Sequence, residues 1–177
     1  AERYQTIFAR AVGSAAAPTA SLHFTDEVVR SLRELGVTVA QVELQVGLDT
    51  FRPMAGEAVG DHRMHSEHIV VTDDEARRIN DARAGGGRVV AVGTTVVRTL
   101  ESVADADGVV GPYEGPTDLF ITPGYRPRIV DAVITNFHAP RTTLLVLIAA
   151  LMGPGWREVY QLALDRGLRF LSFGDAM

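Results

Sequence analysis

The sequence predicts an α/β fold with a mixed, largely parallel sheet flanked by helices. Two patterns indicate this class. Short apolar runs rich in β-branched residues alternate along the chain with longer stretches of helical period. Polar loops follow several of the apolar runs, and ligands of open α/β sheets gather beyond the carboxyl ends of the strands. With 177 residues, 46% of them hydrophobic, the chain is expected to form a single α/β domain over residues 1–177.

Helices and strands are expected to alternate. Helices are predicted for residues 3–9, 26–35, 76–84, 96–103, 144–152 and 156–166. Strands are predicted for residues 42–46, 69–71, 88–92, 119–121, 129–134 and 168–173. The small residues of 13–25 follow neither period, so they suit a flexible linker or a segment whose backbone approaches another group closely.

Capping residues set the helix boundaries. Thr25 is expected to cap the second helix, because Asp26 and Glu27 follow it and apolar residues then repeat on one face. Gly36 is expected to end that helix. The sequence Thr72-Asp73-Asp74-Glu75 is a capping box and predicts the start of the next one.

Hydrophobic patterning sets the strands. Residues 42–46 alternate between apolar and polar side chains, which is typical of a half-buried strand. Residues 129–134 are apolar with only Asp131 interrupting, so they suit a strand buried in the middle of a sheet. The apolar run of residues 144–152 is too long for a strand and predicts a buried helix.

Composition excludes several function classes. The absence of cysteine excludes disulfides, thiolate nucleophiles and cysteine-bound metal centres. All 17 basic residues are arginine, which excludes a lysine Schiff base. The net charge of −5 gives no bulk attraction to a polyanion, so nucleic-acid binding would need a local arginine patch. The longest apolar run is too short to cross a membrane and the first residues resemble no signal peptide, so we expect a cytoplasmic protein with no membrane partner.

Two strand ends carry candidate ligand-binding groups. Asn136 and His138 follow the strand of residues 129–134, where they are expected to face a ligand. Gly93-Thr94-Thr95 joins a strand directly to a helix, with Arg98 one turn further on. That turn suits an anion, because free amides and the helix dipole converge there, or it is a tight turn with a surface arginine.

A histidine-rich segment precedes the strand at residue 69. His62, His65 and His68 fall within seven positions together with Glu67. In an extended segment His65 and Glu67 share one face and the other two histidines share the opposite face. A metal site is one interpretation, but strand geometry divides these ligands between faces, so no metal is expected.

The polar loops also carry a family resemblance. They are Leu22-His23-Phe24-Thr25, Asp49-Thr50-Phe51-Arg52-Pro53, Met64-His65-Ser66-Glu67, Gly93-Thr94-Thr95 with Arg98 and Glu101, Pro123-Gly124-Tyr125, and Thr135-Asn136-Phe137-His138. Together with Arg3-Tyr4-Gln5-Thr6 and Phe173-Gly174-Asp175-Ala176-Met177, they closely resemble the S-adenosylmethionine:tRNA ribosyltransferase-isomerase family of queuosine biosynthesis. Members of that family have roughly double this length. The chain therefore resembles the C-terminal part of a two-domain enzyme, without the family's small β-barrel domain.

The resemblance implies a specific transferase reaction. The ribosyl group of S-adenosylmethionine would move, with isomerisation, to 7-aminomethyl-7-deazaguanine in the tRNA anticodon, forming epoxyqueuosine and releasing adenine and methionine. S-adenosylmethionine is then a substrate, tRNA is the partner, no metal is expected and the enzyme is expected to be monomeric. The sulfonium acidifies the adjacent C5′ hydrogens, so a neutral histidine or a carboxylate can act as the base.

The resemblance also suggests roles for individual residues. The catalytic candidates are His23, His65, Glu67 and His138. The substrate-binding candidates are Phe24, Thr50, Phe51, Thr94, Thr95, Arg98, Gly124, Tyr125, Asn136 and Phe137. An arginine fork beside a threonine-lined helix start suits a methionyl carboxylate or an anticodon phosphate, and the aromatic rings suit stacking on adenine or on the deazaguanine.

Four positions depart from the family's usual residues. Glycine is usual where Ser21 and Asp49 stand, and leucine and lysine are usual where Ala139 and Arg141 stand. Asp49 places a charge and a Cβ in a turn that commonly has neither. Asp49 therefore leaves open a paralogue that uses S-adenosylmethionine on a non-tRNA acceptor. The chain's length, about half that of the family's members, leaves open an inactive ligand-binding fragment.

Overall fold

The structure is a computed structural model that describes residues 5–9, 14, 17–47, 54 and 59–177. The helices of this part of the chain are α1 (Asp26–Glu34), α2 (Asp73–Ala84), α3 (Thr94–Val103), α4 (Thr143–Met152) and α5 (Trp156–Asp165). The strands are β1 (Glu43–Gln45), β2 (Glu67–Val71), β3 (Val90–Val92), β4 (Tyr113–Thr117) and β5 (Ala132–Ile134). Single 3₁₀ turns occupy Thr19–His23, Val59–Asp61 and Gly153–Gly155.

The predicted caps are confirmed. The Thr25 hydroxyl accepts a hydrogen bond from the Val28 N–H at 3.2 Å at the start of α1, and Gly36 takes a φ of +80° just beyond its end. The Thr72 hydroxyl caps α2 by accepting from the Glu75 N–H at 3.3 Å. These helices begin and end where local side-chain chemistry satisfies their free backbone groups.

The mixed α/β class is confirmed, but the expectation of a largely parallel sheet is corrected. Among the described strands, only β3 and β5 pair in parallel, with Ala91 opposite Val133. The other described strands form an antiparallel sheet in the order β1-β2-β4. The helix α2 joins β2 to a strand of the other sheet, so the alternation of strand and helix does not produce a crossover within one sheet here.

Three predicted elements are wrong. Residues 119–121 and 168–173 form no strand, and residues 7–8 form a turn in the described part of the helix predicted over 3–9. The strand β4 was not predicted, because Gly115 and Pro116 are poor strand formers. β4 lies at the edge of its sheet, which is where a strand tolerates proline.

The helix α3 lies at the centre of the core. Val97 and Thr99 on this helix are both 0% exposed, and α3 packs against β3 and against the antiparallel sheet. Helix α4 contributes Leu147 and Ile148 to the same core. This packing places the start of α3, the loop after β5 and the start of α4 on neighbouring parts of the core.

Candidate functional site

The carboxyl ends of β3 and β5 lie side by side, but the chain itself occupies the space beyond them. Gly93, directly after β3, donates its backbone N–H to the Ile134 carbonyl at 2.8 Å. Thr135 and Met177 exchange two backbone hydrogen bonds of 3.0 and 2.8 Å. Thr135 is only 2% exposed. The strand end is therefore continued by residues 171–177, which we call the C-terminal segment.

Asn136, a predicted substrate-binding residue, is buried beneath this segment. Its Oδ1 accepts a hydrogen bond from the Thr19 hydroxyl at 3.0 Å, and its Nδ2 donates to the Gly174 carbonyl at 3.2 Å. The Nε2 atom of His23 lies 3.2 Å from the same carbonyl oxygen. The structure thus brings two predicted site residues together, and both contact the C-terminal segment.

His138 sits beside this cluster as a neutral imidazole. Its Nε2 lies 3.1 Å from the Thr135 hydroxyl, and its backbone N–H donates to the Tyr160 hydroxyl at 3.0 Å. Burial lowers the pKa of His138 from 6.5 to about 4, because the charged ring would lose its hydration. The ring can therefore accept a proton at neutral pH, although burial also weakens it as a base.

Glu67 and Arg98, predicted as a base and as a substrate-binding fork, pair with each other. The Arg98 Nη1 group donates to the Glu67 carboxylate in a buried ion pair, and Arg98 Nε donates to the Leu119 carbonyl at 3.3 Å. Arg98 is 4% exposed and Glu67 is also 4% exposed. In the part of the chain that the structure describes, Arg98 Nη2 is buried and has no hydrogen-bond partner. The pair joins β2 to α3 inside the core.

The start of α3 is the predicted anion seat. Gly93 caps this helix without a side-chain hydrogen bond and takes a φ of +102°, a conformation that favours glycine. Thr94 is buried and Thr95 is half-buried. A Cβ on Gly93 would lie 4.0 Å from Ala20, so the 3₁₀ turn of Thr19–His23 packs against this helix start. An anion at Thr94 and Thr95 stays a prediction.

Glu101 holds the loop that carries Tyr125. Its Oε2 accepts from the Tyr125 hydroxyl and from the Arg128 N–H, both at 2.9 Å. Its Oε1 accepts from the N–H groups of Ile129 and Val130 at 3.2 and 3.0 Å. Burial and the Glu101 carboxylate raise the pKa of Tyr125 to about 12. The Tyr125 hydroxyl is therefore neutral, and its proton is already donated to Glu101.

The predicted aromatic candidates lie in different environments. Phe137 is 2% exposed and stacks on Phe170 at 4.9 Å between ring centroids, so its faces serve the core. Phe24 is half-buried after the turn of Thr19–His23, and Gly124 is exposed with a φ of +100°. The remaining candidates, Thr50 and Phe51, lie outside the described residues.

A large open groove lies beside the loop that follows β5. It has a volume of about 680 Å³ and is lined by side chains of α4, α5 and the turns around them. Its apolar and aromatic lining includes Pro123, Leu145, Val146, Ala149, Pro154 and Trp156. We call it the α4–α5 groove. Its volume lies within the range of small-molecule sites, whereas the strand end at Asn136 is filled by the chain.

Two arginines give the α4–α5 groove its charge. Arg141 and Arg157 line it and are exposed. The Arg157 guanidinium lies over the Trp156 ring, 4.7 Å from the ring centroid. Arg141 has a φ of +60°, rare for a residue with a side chain, and its carbonyl accepts a hydrogen bond from the Met54 N–H at 2.9 Å. The described lining offers no carboxylate or imidazole, so its chemistry is that of binding and not of proton transfer.

Sequence reasoning named neighbours of this groove and missed its lining. Gly124, next to Pro123 in the sequence, was predicted as a site residue, while Pro123, Arg141 and Trp156 of the lining were not. Arg141 did stand out as a departure from the family's usual lysine. The groove depends on how α4 and α5 meet across the turn of Gly153–Gly155, which no motif records.

The histidine-rich segment separates in space. His62 makes an edge contact with Phe120 at 5.6 Å, His65 is exposed, and His68 Nε2 lies 3.7 Å from the Glu114 carboxylate. Within the described ranges, no group of three or more potential metal ligands converges. None of the helices in the described part of the chain has the length and apolar character needed to span a bilayer.

Comparison with known proteins identifies the family. The whole chain, residues 1–177, matches the family described as queuosine biosynthesis protein. The chain belongs to this family. It is 56% identical over 176 residues to the S-adenosylmethionine:tRNA ribosyltransferase-isomerase of Moorella thermoacetica, and 56% identical over 177 residues to that of Symbiobacterium thermophilum. Each alignment covers 99% of this chain and 52% of the relative, so the chain spans about half the length of the curated relatives it matches.

A solved structure supports the same assignment to the queuosine biosynthesis family. The crystal structure of the S-adenosylmethionine tRNA ribosyltransferase from Thermotoga maritima matches with a TM-score of 0.72 at 42% sequence identity. The match covers 89% of this chain and 50% of that one. The fold described above is therefore the fold of this part of a family member.

Proposed function

We propose that this chain contributes to an S-adenosylmethionine-dependent tRNA ribosyltransferase-isomerase. The full-length protein that contains it would transfer and isomerise the ribosyl group of S-adenosylmethionine onto 7-aminomethyl-7-deazaguanine in tRNA. The product is epoxyqueuosine, and adenine and methionine are released. S-adenosylmethionine is consumed as a substrate and the modified tRNA is the acceptor.

One observation carries the proposal: 56% identity, over 99% of this chain, to a relative with that name. Several other relatives at 49 to 50% identity carry the same name, which favours a tRNA acceptor over the non-tRNA alternative. The absence of metal from the reaction, the monomeric state and the cytoplasmic location stay predictions.

Proton abstraction from the C5′ carbon is the step that needs a base. Of the four candidates, His138 is held neutral, because burial lowers its pKa to about 4. The Glu67 carboxylate already accepts a hydrogen bond from Arg98, and the Nε2 atom of His23 lies within hydrogen-bond distance of the Gly174 carbonyl oxygen. His65 lies directly before β2, and both His65 and His23 are exposed. We therefore rank His138 above the other three as the base.

The test is adenine release from S-adenosylmethionine by the full-length protein under single-turnover conditions. We expect release with tRNA that carries 7-aminomethyl-7-deazaguanine and none with unmodified tRNA. Release with the free base instead of tRNA would support the non-tRNA acceptor. If S-adenosylmethionine binds but no acceptor promotes adenine release, the proposal is wrong.

The same assay separates the candidate bases. Loss of a general base typically slows a reaction by roughly 10² to 10⁴-fold. We expect that loss in His138→Gln, with S-adenosylmethionine binding retained, and His23→Gln and His65→Gln test two of the other candidates. A variant with an unchanged rate removes its residue from the proton-transfer step.

A further inference from the structure

The α4–α5 groove differs from the rest of this acidic chain in its charge. The chain has a net charge of −5, yet the described charged residues that line the groove are Arg141 and Arg157. Neither makes an ion pair within the described ranges. The first turn of α4, beside Arg141, also contains no acidic residue, so the positive end of the helix dipole adds to the local potential.

The floor of the groove suits a flat, partly apolar group. Leu145, Val146 and Ala149 come from one side of α4, and Pro154 and Trp156 close the far end. The Arg157 guanidinium already lies over the Trp156 ring. Nucleobases stack in the same manner on aromatic rings and on arginine planes.

The Arg141 backbone adds a second sign of a binding site. Its φ of +60° is uncommon for a residue with a Cβ and is unfavourable for the backbone. The conformation is held by the hydrogen bond from the Met54 N–H to the Arg141 carbonyl. It places an exposed guanidinium at the edge of the groove, beside the Thr142 cap of α4.

We infer that the α4–α5 groove binds one nucleotide of the tRNA strand, with the base against α4 and Trp156 and the phosphate on Arg141 and Arg157. The inference rests on the proposed function and assigns the RNA to a particular surface. S-adenosylmethionine fits this groove less well, because its sulfonium and ammonium groups give it a net positive charge. Two guanidinium groups that have no ion pair among the described residues would repel those cations, whereas an RNA phosphate pairs with them.

Trp156 provides a direct readout, because it is the only tryptophan of the chain. We expect an anticodon stem-loop RNA to change the Trp156 fluorescence when it is titrated into the 177-residue chain. S-adenosylmethionine alone should leave that fluorescence unchanged. Polyglutamate, as an acidic peptide, should also leave it unchanged at the same charge concentration.

Charge variants test the phosphate contact in the full-length protein. We expect Arg141→Gln and Arg157→Gln each to weaken RNA binding by roughly three- to tenfold at low salt. The double variant should lower the slope of log affinity against log salt by about 0.7 per lost phosphate contact. Arg166→Gln is the matched control, since Arg166 is an exposed arginine just after α5 that does not line the groove. It should leave both affinity and slope near wild type.

Several outcomes would overturn the inference. One is a double variant with wild-type RNA affinity and salt slope. Another is a Trp156 response to S-adenosylmethionine, or to polyglutamate as strong as that to RNA. A separate adenine-release assay distinguishes a failure of this inference from a failure of the proposed function. If the wild type releases adenine and the double variant binds RNA as the wild type does, only the groove assignment is refuted. Wild-type protein without release refutes the proposed function, while the fluorescence titration still reports on the groove.

Discussion

Replacing Glu101 by Gln is expected to destabilise the fold more than any exposed charge change, because one buried carboxylate organises a whole loop. Glu101 is 1% exposed and accepts four hydrogen bonds. Three of the donors are consecutive backbone N–H groups of residues 128–130, and the fourth is the Tyr125 hydroxyl. The carboxylate thus fixes the chain between Tyr125 and the strand β5.

The magnitude follows from the donors that the amide cannot serve. The glutamine oxygen can still accept from Ile129 and Val130, but its NH₂ group would face the Arg128 N–H, and two donors cannot pair. One unsatisfied N–H costs about 1 to 3 kcal/mol. The two remaining bonds lose their charge assistance, which adds roughly 1 kcal/mol. We therefore expect a loss of about 2 to 4 kcal/mol, a large share of a typical stability of about 5 to 15 kcal/mol.

Equilibrium urea unfolding of the 177-residue chain, followed by circular dichroism, measures the loss. For an m-value of about 2 kcal/mol/M, the midpoint should fall by about 1 to 2 M. Glu101→Ala should cost more than Glu101→Gln, since all four donors lose their acceptor, and Tyr125→Phe should cost less, since three donors keep theirs. Glu34→Gln, at an exposed site on α1, should change stability by less than about 0.5 kcal/mol. If Glu101→Gln behaves like Glu34→Gln, the carboxylate does not hold the loop and the reasoning is refuted.

Two further predictions concern buried charge. Burial lowers the pKa of His138 from 6.5 to about 4, so between these pH values the unfolded chain binds a proton that the folded chain excludes. The free energy of unfolding should therefore fall by about 3 kcal/mol as the pH drops from above 6.5 towards 4. Urea unfolding of His138→Gln at pH 7 and at pH 4.5 should show a smaller difference than wild type, and an equal difference would exclude His138 as the source. Arg98→Met removes the Arg98 cation from the buried Glu67 carboxylate and should cost about 3 to 5 kcal/mol. In a double-mutant cycle, Glu67→Gln together with Arg98→Met should cost less than the sum of the single changes, and strict additivity would show that the pair is not coupled.

The helices could be predicted from the sequence because their limits are local. Thr25 and Thr72 each lie next to the backbone groups that they cap, so a few consecutive residues contain the whole interaction. The strand β4 could not be predicted in this way. Its pairing with β2 is long-range, and it overrides the poor strand propensity of Gly115 and Pro116.

The candidate site was predictable to a smaller extent. The loops after β3 and β5 start side by side, as predicted, whereas His23 reaches the neighbourhood of Asn136 from the turn of Thr19–His23. What fills the strand end could not be read from residue types, because the main contact of both side chains is the backbone carbonyl of Gly174. Residues 168–173 look like a strand, but residues 171–173 form a bend and a turn, and the Leu171 N–H donates to the distant Phe137 carbonyl at 2.9 Å. Main-chain partners such as these have no sequence signature.

The filled strand end changes how a ligand could use the predicted residues. The Asn136 side-chain oxygen already accepts a hydrogen bond from Thr19, and its NH₂ group already donates to the C-terminal segment. A ligand that bound Asn136 directly would have to replace both hydrogen bonds. The free energy lost when these two hydrogen bonds break is about equal to that gained from two new ones, so contacts to Asn136 would add little to the affinity. The α4–α5 groove carries no such cost, because its arginines are exposed and have no ion pair among the described residues. We therefore expect binding energy in this part of the protein to come mainly from the groove, while Asn136 and its neighbours hold the loop after β5 in place.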